Sequence, residues 1–334
     1  MDTAWYYQRE LEQLRTIAAE FSRTHPAVAP LLAGPSSDPD VERLLEGTAY
    51  LTGQLAQKLD ESYDRIAENL SAIVLPQLLR DLPSCTIMCF APKAALKAPL
   101  IIPKGSRVGS TEQDGVSCVF STTGPVELAP LRLAGVEADI RPGNEPCLLL
   151  HFALTAPGAL QGLTRLRLHL TGPRANAAHR LYALLFHTTG ISLKIGGHTL
   201  RLPASSLHPV GFDSEEGLFP YPPTAWEGYR LLQEYYVFPE KFFFLDIMLP
   251  SGGMATENAE RLTCSFELDS RLPEHFPAFS LRDFALFATP AVNLFPFDTI
   301  PIKADLRRES YPVRPNATKD GAYVPYQVEN VTAV

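Results

Sequence analysis

Apolar residues recur at steps of three and four along the first eighty positions, the spacing that lines one face of a helix. Tyr7, Leu11, Leu14, Ala18 and Phe21 mark a first helix that ends at His25-Pro26. After a loop at Gly34-Pro35-Ser36-Ser37, Asp38 is the expected N-cap and Pro39 the first helical residue, where a missing amide hydrogen is harmless. Leu44, Thr48, Leu51, Leu55 and Leu59 carry a second stripe, which Tyr63, Ile66, Leu70 and Ile73 prolong until Pro76 and Pro83 close the region. The expected packing positions are Tyr7, Leu11, Leu14, Phe21, Leu44, Leu51, Leu55 and Leu59. Two stripes in so short a stretch bury little core by themselves. Their cover must come from the rest of the chain, a second copy or a partner helix.

Past Cys85 the signal changes to short apolar runs separated by Gly and Pro. Ile87–Phe90, Leu100–Ile102, Val116–Phe120, Leu148–Leu154 and Leu166–Leu170 read as strands, with one helix over Ala175–Phe186. Ile101-Ile102-Pro103-Lys104-Gly105-Ser106 reads as a turn between two of them. Gly196-Gly197, between Ile191–Ile195 and His198–Leu202, predicts a two-residue hairpin turn. Later strands are expected near Leu262–Leu268 and Phe284–Phe287. The pattern predicts an α+β chain: a helical region over residues 1–83, a β-rich, sandwich-like domain with one helix over 84–212, and a second β-rich domain over 213–334.

The densest chemistry lies between Phe219 and Phe244, where ten of the chain's aromatic residues fall. Rings of that size remove large apolar areas from water. Tyr229 to Tyr236 gives one or two helical turns, stopped by Pro239, and Phe242 to Ile247 is a short apolar run of strand length. Glu240 and Lys241 stand at the joint. Two readings fit: a corner held by its own rings, or a surface shaped to be covered by another protein. Tyr229, Tyr235, Phe238 and Phe242 are the candidate residues.

Composition narrows the function. Hydrophobic residues make up 46% and charged residues 20% of 334, an ordinary globular balance, and thirty prolines suit short strands joined by turns. Of the net charge of −8, the first 83 residues carry −6, and neither part has the basic stripe that a phosphate backbone requires. Nucleic acid is not an expected partner. No apolar run is long enough to span a bilayer, and Asp2 and Glu10 stand where a secretory leader would be apolar. Five cysteines without a CxxC pair suit free thiols in a reducing cytoplasm.

Catalytic signatures are missing from the sequence: no GxSxG, HExxH, GxxxxGK[ST] or GxGxxG is present. His169 and His179 lack acidic partners at ligand spacing and are expected to be surface or half-buried. Cys85 and Cys89 lack the histidines of a zinc site. Asp213-Ser214-Glu215-Glu216 lacks the alternation of a calcium loop and reads as a solvated turn. Asp60-Glu61 reads as helix surface, since neighbouring helical residues face different ways. The expectation is no catalytic site, no cofactor, no metal and no enzyme.

Residues 228–244, GYRLLQEYYVFPEKFFF, resemble the GYxLLxEYFxFPEKF core of TssF, the type VI secretion baseplate family. Further blocks agree in order: Tyr6-Tyr7, Glu10-Leu11, Leu14-Arg15, Glu20-Phe21 and His25-Pro26; then Asp38 to Gly47 and Lys58-Leu59-Asp60-Glu61; then Pro290 to Phe295 and Tyr326 to Val331. Members of that family usually continue past the position of Val334, so the resemblance implies an amino-terminal portion or a shortened member. Where the family often has an aromatic residue and a proline, this chain has Ser62-Tyr63-Asp64, so a helix break there does not carry over. The resemblance implies a structural subunit in the bacterial cytoplasm, at a baseplate docked on the inner membrane but not inserted in it. The implied partners are TssG-like, TssE-like and TssK-like subunits, the spike hub, and a second copy of the chain. Such a wedge is the platform for tail-tube and contractile-sheath assembly. A phage tail or another contractile injection machine is the alternative setting, and a β-rich ligand-binding module a further one.

Overall fold

The computed structural model describes residues 3–27, 29–32, 39–112, 115–139, 146–222, 225–250, 259–269, 271, 276–303, 310–317, 319 and 321–332. The expected N-cap Asp38 and the loop at 34–37 lie outside the described residues. The chain is α+β in the expected order, a helical region followed by sheets, and it divides into two compact units, Met1–Leu79 and Arg80–Val334.

In the first unit, helix α1 (Thr3–Thr24) is followed by a short turn of helix, α2 (Ala29–Leu32), and by the long helix α3 (Pro39–Val74). Pro39 is the first helical residue, and Asp40 and Glu42 in the first turn complement the positive end of the helix dipole. α3 runs through Ser62-Tyr63-Asp64 without interruption, because nothing there removes a backbone donor. It stops where Pro76 forces Leu75 out of helical geometry (φ −137°), and a 3₁₀ turn over Pro76–Leu78 follows.

The second unit is built of antiparallel pairs. In chain order its elements are β1 (Cys85–Cys89), β2 (Leu100–Ile102), β3 (Arg107–Gly109), β4 (Val119–Thr122), β5 (Val126–Leu128), β6 (Leu131–Asp139), β7 (Cys147–Leu154) and β8 (Arg165–Leu170). Helix α4 (Arg174–Phe186) comes next, then β9 (Thr188–Ile195), β10 (His198–Pro203) and β11 (Leu207–Val210). Helix α5 (Glu227–Val237), β12 (Phe244–Met248), β13 (Arg261–Leu268), β14 (Phe284–Leu286) and β15 (Ala288–Val292) complete the set. The sheets have the orders β1-β15-β4-β3, β10-β9-β13-β7-β6, β11-β12-β8-β14 and β2-β5. Gly196 and Gly197, at φ +50° and +85°, turn the β9–β10 hairpin, the left-handed pair that a two-residue turn needs. The Pro103–Ser106 turn connects strands of different sheets, β2 pairing with β5 and β3 with β4.

The boundary expected at residue 212 is replaced by interleaving. β13 lies between β9 and β7, and β12 between β11 and β8, so stretches on both sides of 212 share sheets within one unit. The cause is that strands are completed by partners far away in the chain, which local periodicity does not register. A shared core spans both stretches, the largest of three buried clusters among the described residues. Leu148, Leu150 and Phe152 of β7, Leu193 of β9 and Cys264 and Phe266 of β13 join Leu166, Leu168 and Leu170 of β8 and Leu245 and Ile247 of β12, with Leu184 of α4. Each fully buried side chain of this size is worth about 1.5–3 kcal/mol of transfer free energy. Strands β3, β5, β6, β11 and β15 were not expected, the first two being only three residues long. Pro209 and Pro290 interrupt the signal in the last two, and Gly135 and charged residues dilute it in β6.

Candidate assembly interface

α1 packs along α3, and small residues make the close approach possible. Ala49 and Gly53 are the buried positions of α3, one turn apart. A Cβ at Gly53 would lie 3.1 Å from the Tyr7 amide nitrogen and 3.2 Å from the Tyr6 carbonyl carbon. On α1 the buried residues are Tyr6, Leu11, Ala18 and Ser22. The Tyr6 hydroxyl donates to Asp60 Oδ2 (2.9 Å) and the Thr3 hydroxyl to Gln57 Oε1 (3.1 Å), while Arg15 pairs with Glu42. Asp60 thus joins the seam between the two helices.

The leucines of α3 point elsewhere. Leu51, Leu55 and Leu59 are each 62% exposed, and Leu44, Tyr63, Ile66, Leu70 and Ile73 are exposed as well. Leu51 and Leu55 stand two positions beyond Ala49 and Gly53, about 200° around the helix, so a seam built on the small residues turns the large ones outward. Among the candidate positions of α1, Leu11 is buried, Tyr7 and Leu14 are half-buried, and Phe21 is exposed, stacked on the His25 ring at 4.1 Å. Leucine periodicity identifies the stripe but not its direction. The signal for the seam is the Ala49–Gly53 spacing.

The aromatic corner splits its rings between two destinations. Phe219, Phe242, Phe243 and Phe244 are buried, and Phe238 is half-buried. Trp226, Tyr229, Leu232, Tyr235 and Tyr236 are exposed, Trp226 by 68% and Tyr236 by 81%. Of the four candidate rings, Tyr229 and Tyr235 therefore face solvent, while Phe242 belongs to the corner's own packing. The buried positions of α5 are charged: Arg230 and Glu234.

Those charges form a closed knot. Glu234 is 0%, Lys241 1% and Arg230 4% exposed. Glu234 accepts from the Leu218 amide (2.7 Å), from Arg230 Nη1 (3.3 Å) and from the Lys241 ammonium. Arg230 Nη2 donates to the Phe212 carbonyl (2.6 Å). Burial pushes the Lys241 pKa down, and Glu234 opposes that shift. The backbone passes close over Lys241 at Gly211 (φ +103°), where a Cβ would come within 2.9 Å of the Lys241 carbonyl oxygen. Glu240 and Lys241, neighbours at the joint, thus part company. Lys241 turns inward to Glu234, and Glu240 meets Arg174 at the surface (3.4 Å).

A second polar cluster lies on the face of β8 and β12 opposite their leucines. Arg167 and Asp246 are cross-strand partners joined by two bonds of 2.7 Å, and Arg165 bridges Asp246 (3.4 Å) and Glu127 (3.2 Å). Glu216 accepts from the Gly211 amide and lies 3.7 Å from Arg167, so the acidic turn at Asp213–Glu216 is tied into the body instead of being simply solvated. His169 also departs from expectation. It is buried against the Phe244 ring at 4.3 Å, and burial pushes its pKa down to about 4, whereas His179 is exposed. It is the next face-mate of Arg167 on β8, a position that period-two alternation marks as half-covered. Cys85 and Cys89 sit at the two ends of β1 as free thiols.

Residues 2–334 match the family model described as type VI secretion system, TssF. The chain belongs to the TssF family. It is 35% identical over 322 residues to the type VI secretion system component TssF1 of Pseudomonas aeruginosa, an overlap covering 87% of this chain and 51% of that relative. It also superposes, with a TM-score of 0.64 and 27% identity, on a chain of the type VI secretion TssK–TssF–TssG baseplate subcomplex solved by cryo-electron microscopy. That match covers 82% of this chain and 53% of the other. The chain thus spans about half the length of the TssF-family relatives it matches. Among the described residues, no helix is long and apolar enough to cross a membrane.

Proposed function

We propose that this TssF-family chain is a structural, non-enzymatic subunit of a type VI secretion baseplate, in which a helix of a neighbouring subunit covers the outer stripe of α3. The observation that carries this reading is the direction of that stripe. α3 already spends one face on α1 through Ala49 and Gly53, yet Leu44, Leu51, Leu55 and Leu59 remain in solvent. A row of large apolar side chains along one helix face marks a surface made to be covered. The solved TssK–TssF–TssG subcomplex supports TssG-like and TssK-like chains as the partners. TssE-like subunits and the spike hub follow from the family resemblance alone, as does a position in the bacterial cytoplasm at a membrane-docked baseplate. There the body would move as a rigid module while the helical contacts rearrange.

Leu51→Asp tests this. Co-expressed with TssG-like and TssK-like partners, the variant is expected to lose co-purification while its circular dichroism and melting temperature stay as in the wild type. Retained co-purification by a folded Leu51→Asp protein would overturn the assignment of the stripe.

A further inference from the structure

We propose that the Arg230–Glu234–Lys241 knot is an orientation lock that holds α5 with its aromatic side toward solvent. α5 is inside out by the ordinary rule of amphipathic helices. Its fully buried positions are Arg230 and Glu234, beside a half-buried Val237 that packs against the Leu218–Phe219 cluster, and its outward ones are Tyr229, Leu232, Tyr235 and Tyr236, with Trp226 preceding the first turn. Burial of apolar area alone would roll the helix the other way, covering the rings and hydrating the two charges.

What opposes the roll is fixed outside α5. Lys241 sits in the 3₁₀ turn Pro239–Phe242, between buried neighbours Pro239 and Phe242. The Leu218 amide and the Phe212 carbonyl belong to the chain segment that precedes the helix. A rolled α5 would leave a buried ammonium and a buried N–H without partners, each a costly group to strand, and would take the Arg230 bond from the part-buried Phe212 carbonyl. Glu234 and Arg230 answer all three only from the inward side. Buried ion pairs contribute little net stability compared with apolar replacements, and their best-attested use is to select one register among several. Here the selected variable is the rotation of a helix.

The outer rings are themselves seated. Trp226 lies across Gly228, where a Cβ would come within 2.3 Å of the indole, and meets Tyr229 edge-on at 5.3 Å. The Trp226 ring is therefore a fixed feature of the outward side, and it reports directly on the rotation.

The chain has two tryptophans, so Trp5→Phe leaves Trp226 as the single emitter. In that background the ion pairs are removed while the inward side of α5 stays polar, by Arg230→Gln, Glu234→Gln and Lys241→Met. The expected result is a folded protein whose Trp226 emission shifts to shorter wavelength and whose quenching by acrylamide falls. Adding Leu232→Lys and Tyr236→Lys should reverse both changes, because the outer side then prefers water. A folded triple variant with Trp226 as accessible as in Trp5→Phe alone would overturn the proposal. Should the triple variant not fold, Glu234→Gln with Lys241→Met removes the ion pair but keeps an acceptor for the Leu218 amide. Reduced quenching with faster exchange of the α5 amides supports the lock, and unchanged quenching with unchanged exchange refutes it.

Discussion

Helices α3 and α5 both present large apolar residues to solvent, but their inward sides differ. α3 seals to α1 with Ala49 and Gly53, a seam that works because the residues are small enough for the backbones to approach. α5 seals to the body with Arg230 and Glu234, a seam that works because every charge finds a partner. The first is held by shape and the second by electrostatic pairing. Both leave the residues that a hydrophobicity profile would place inside free to meet something else.

The contrast predicts a graded response to substitution. Glu234→Ala should have the largest effect, about 3–5 kcal/mol lost in chemical denaturation, because it strands Arg230 and Lys241 in the interior. Gly53→Leu comes next, at about 1–3 kcal/mol, since the new side chain meets backbone atoms of Tyr6 and Tyr7 that only a separation of the helices can relieve. The measurement is the melting of the helical circular dichroism signal, and an unchanged melt would mean that the seam is not tight. Tyr6→Phe removes only the hydroxyl that donates to Asp60, so a loss of about 0.5–1.5 kcal/mol is expected. Smallest of all, Leu59→Asp and Tyr236→Ser should stay within about 0.5 kcal/mol of wild type in the isolated chain. A large loss at Leu59 would place the leucine stripe in the protein's own core and erase the difference between the two helices.

Much of this was legible in the sequence, and the exceptions have physical causes. The 3.6-residue period marked α1 and α3, and Gly196-Gly197 marked its hairpin, because these signals are local. The four ordered motif blocks pointed to the family that the match over residues 2–334 shows. The direction of the α3 stripe could not be read from the leucines, since periodicity reports that a face exists and not what it meets. The knot escaped because Arg230 and Glu234, four apart on a short helix, look like an exposed ion pair until Lys241 is brought beneath them. Strand β15 was hidden by Pro290, which tolerates its place beside β1 and β4 because its carbonyl, not its nitrogen, is used, accepting from the Thr123 amide (2.9 Å).

The pairing of β1 with β15 also bears on how the molecule is made. Cys85 meets Val292 across that ladder, partners separated by about two hundred residues. During translation the early edge must stay open until nearly the whole body has left the ribosome. Loop closure over such a distance is slow, and an unzipped edge is prone to capture by a wrong chain. Synthesis of this protein therefore carries a waiting period, and shielding by a chaperone would have its greatest value just before β15 arrives.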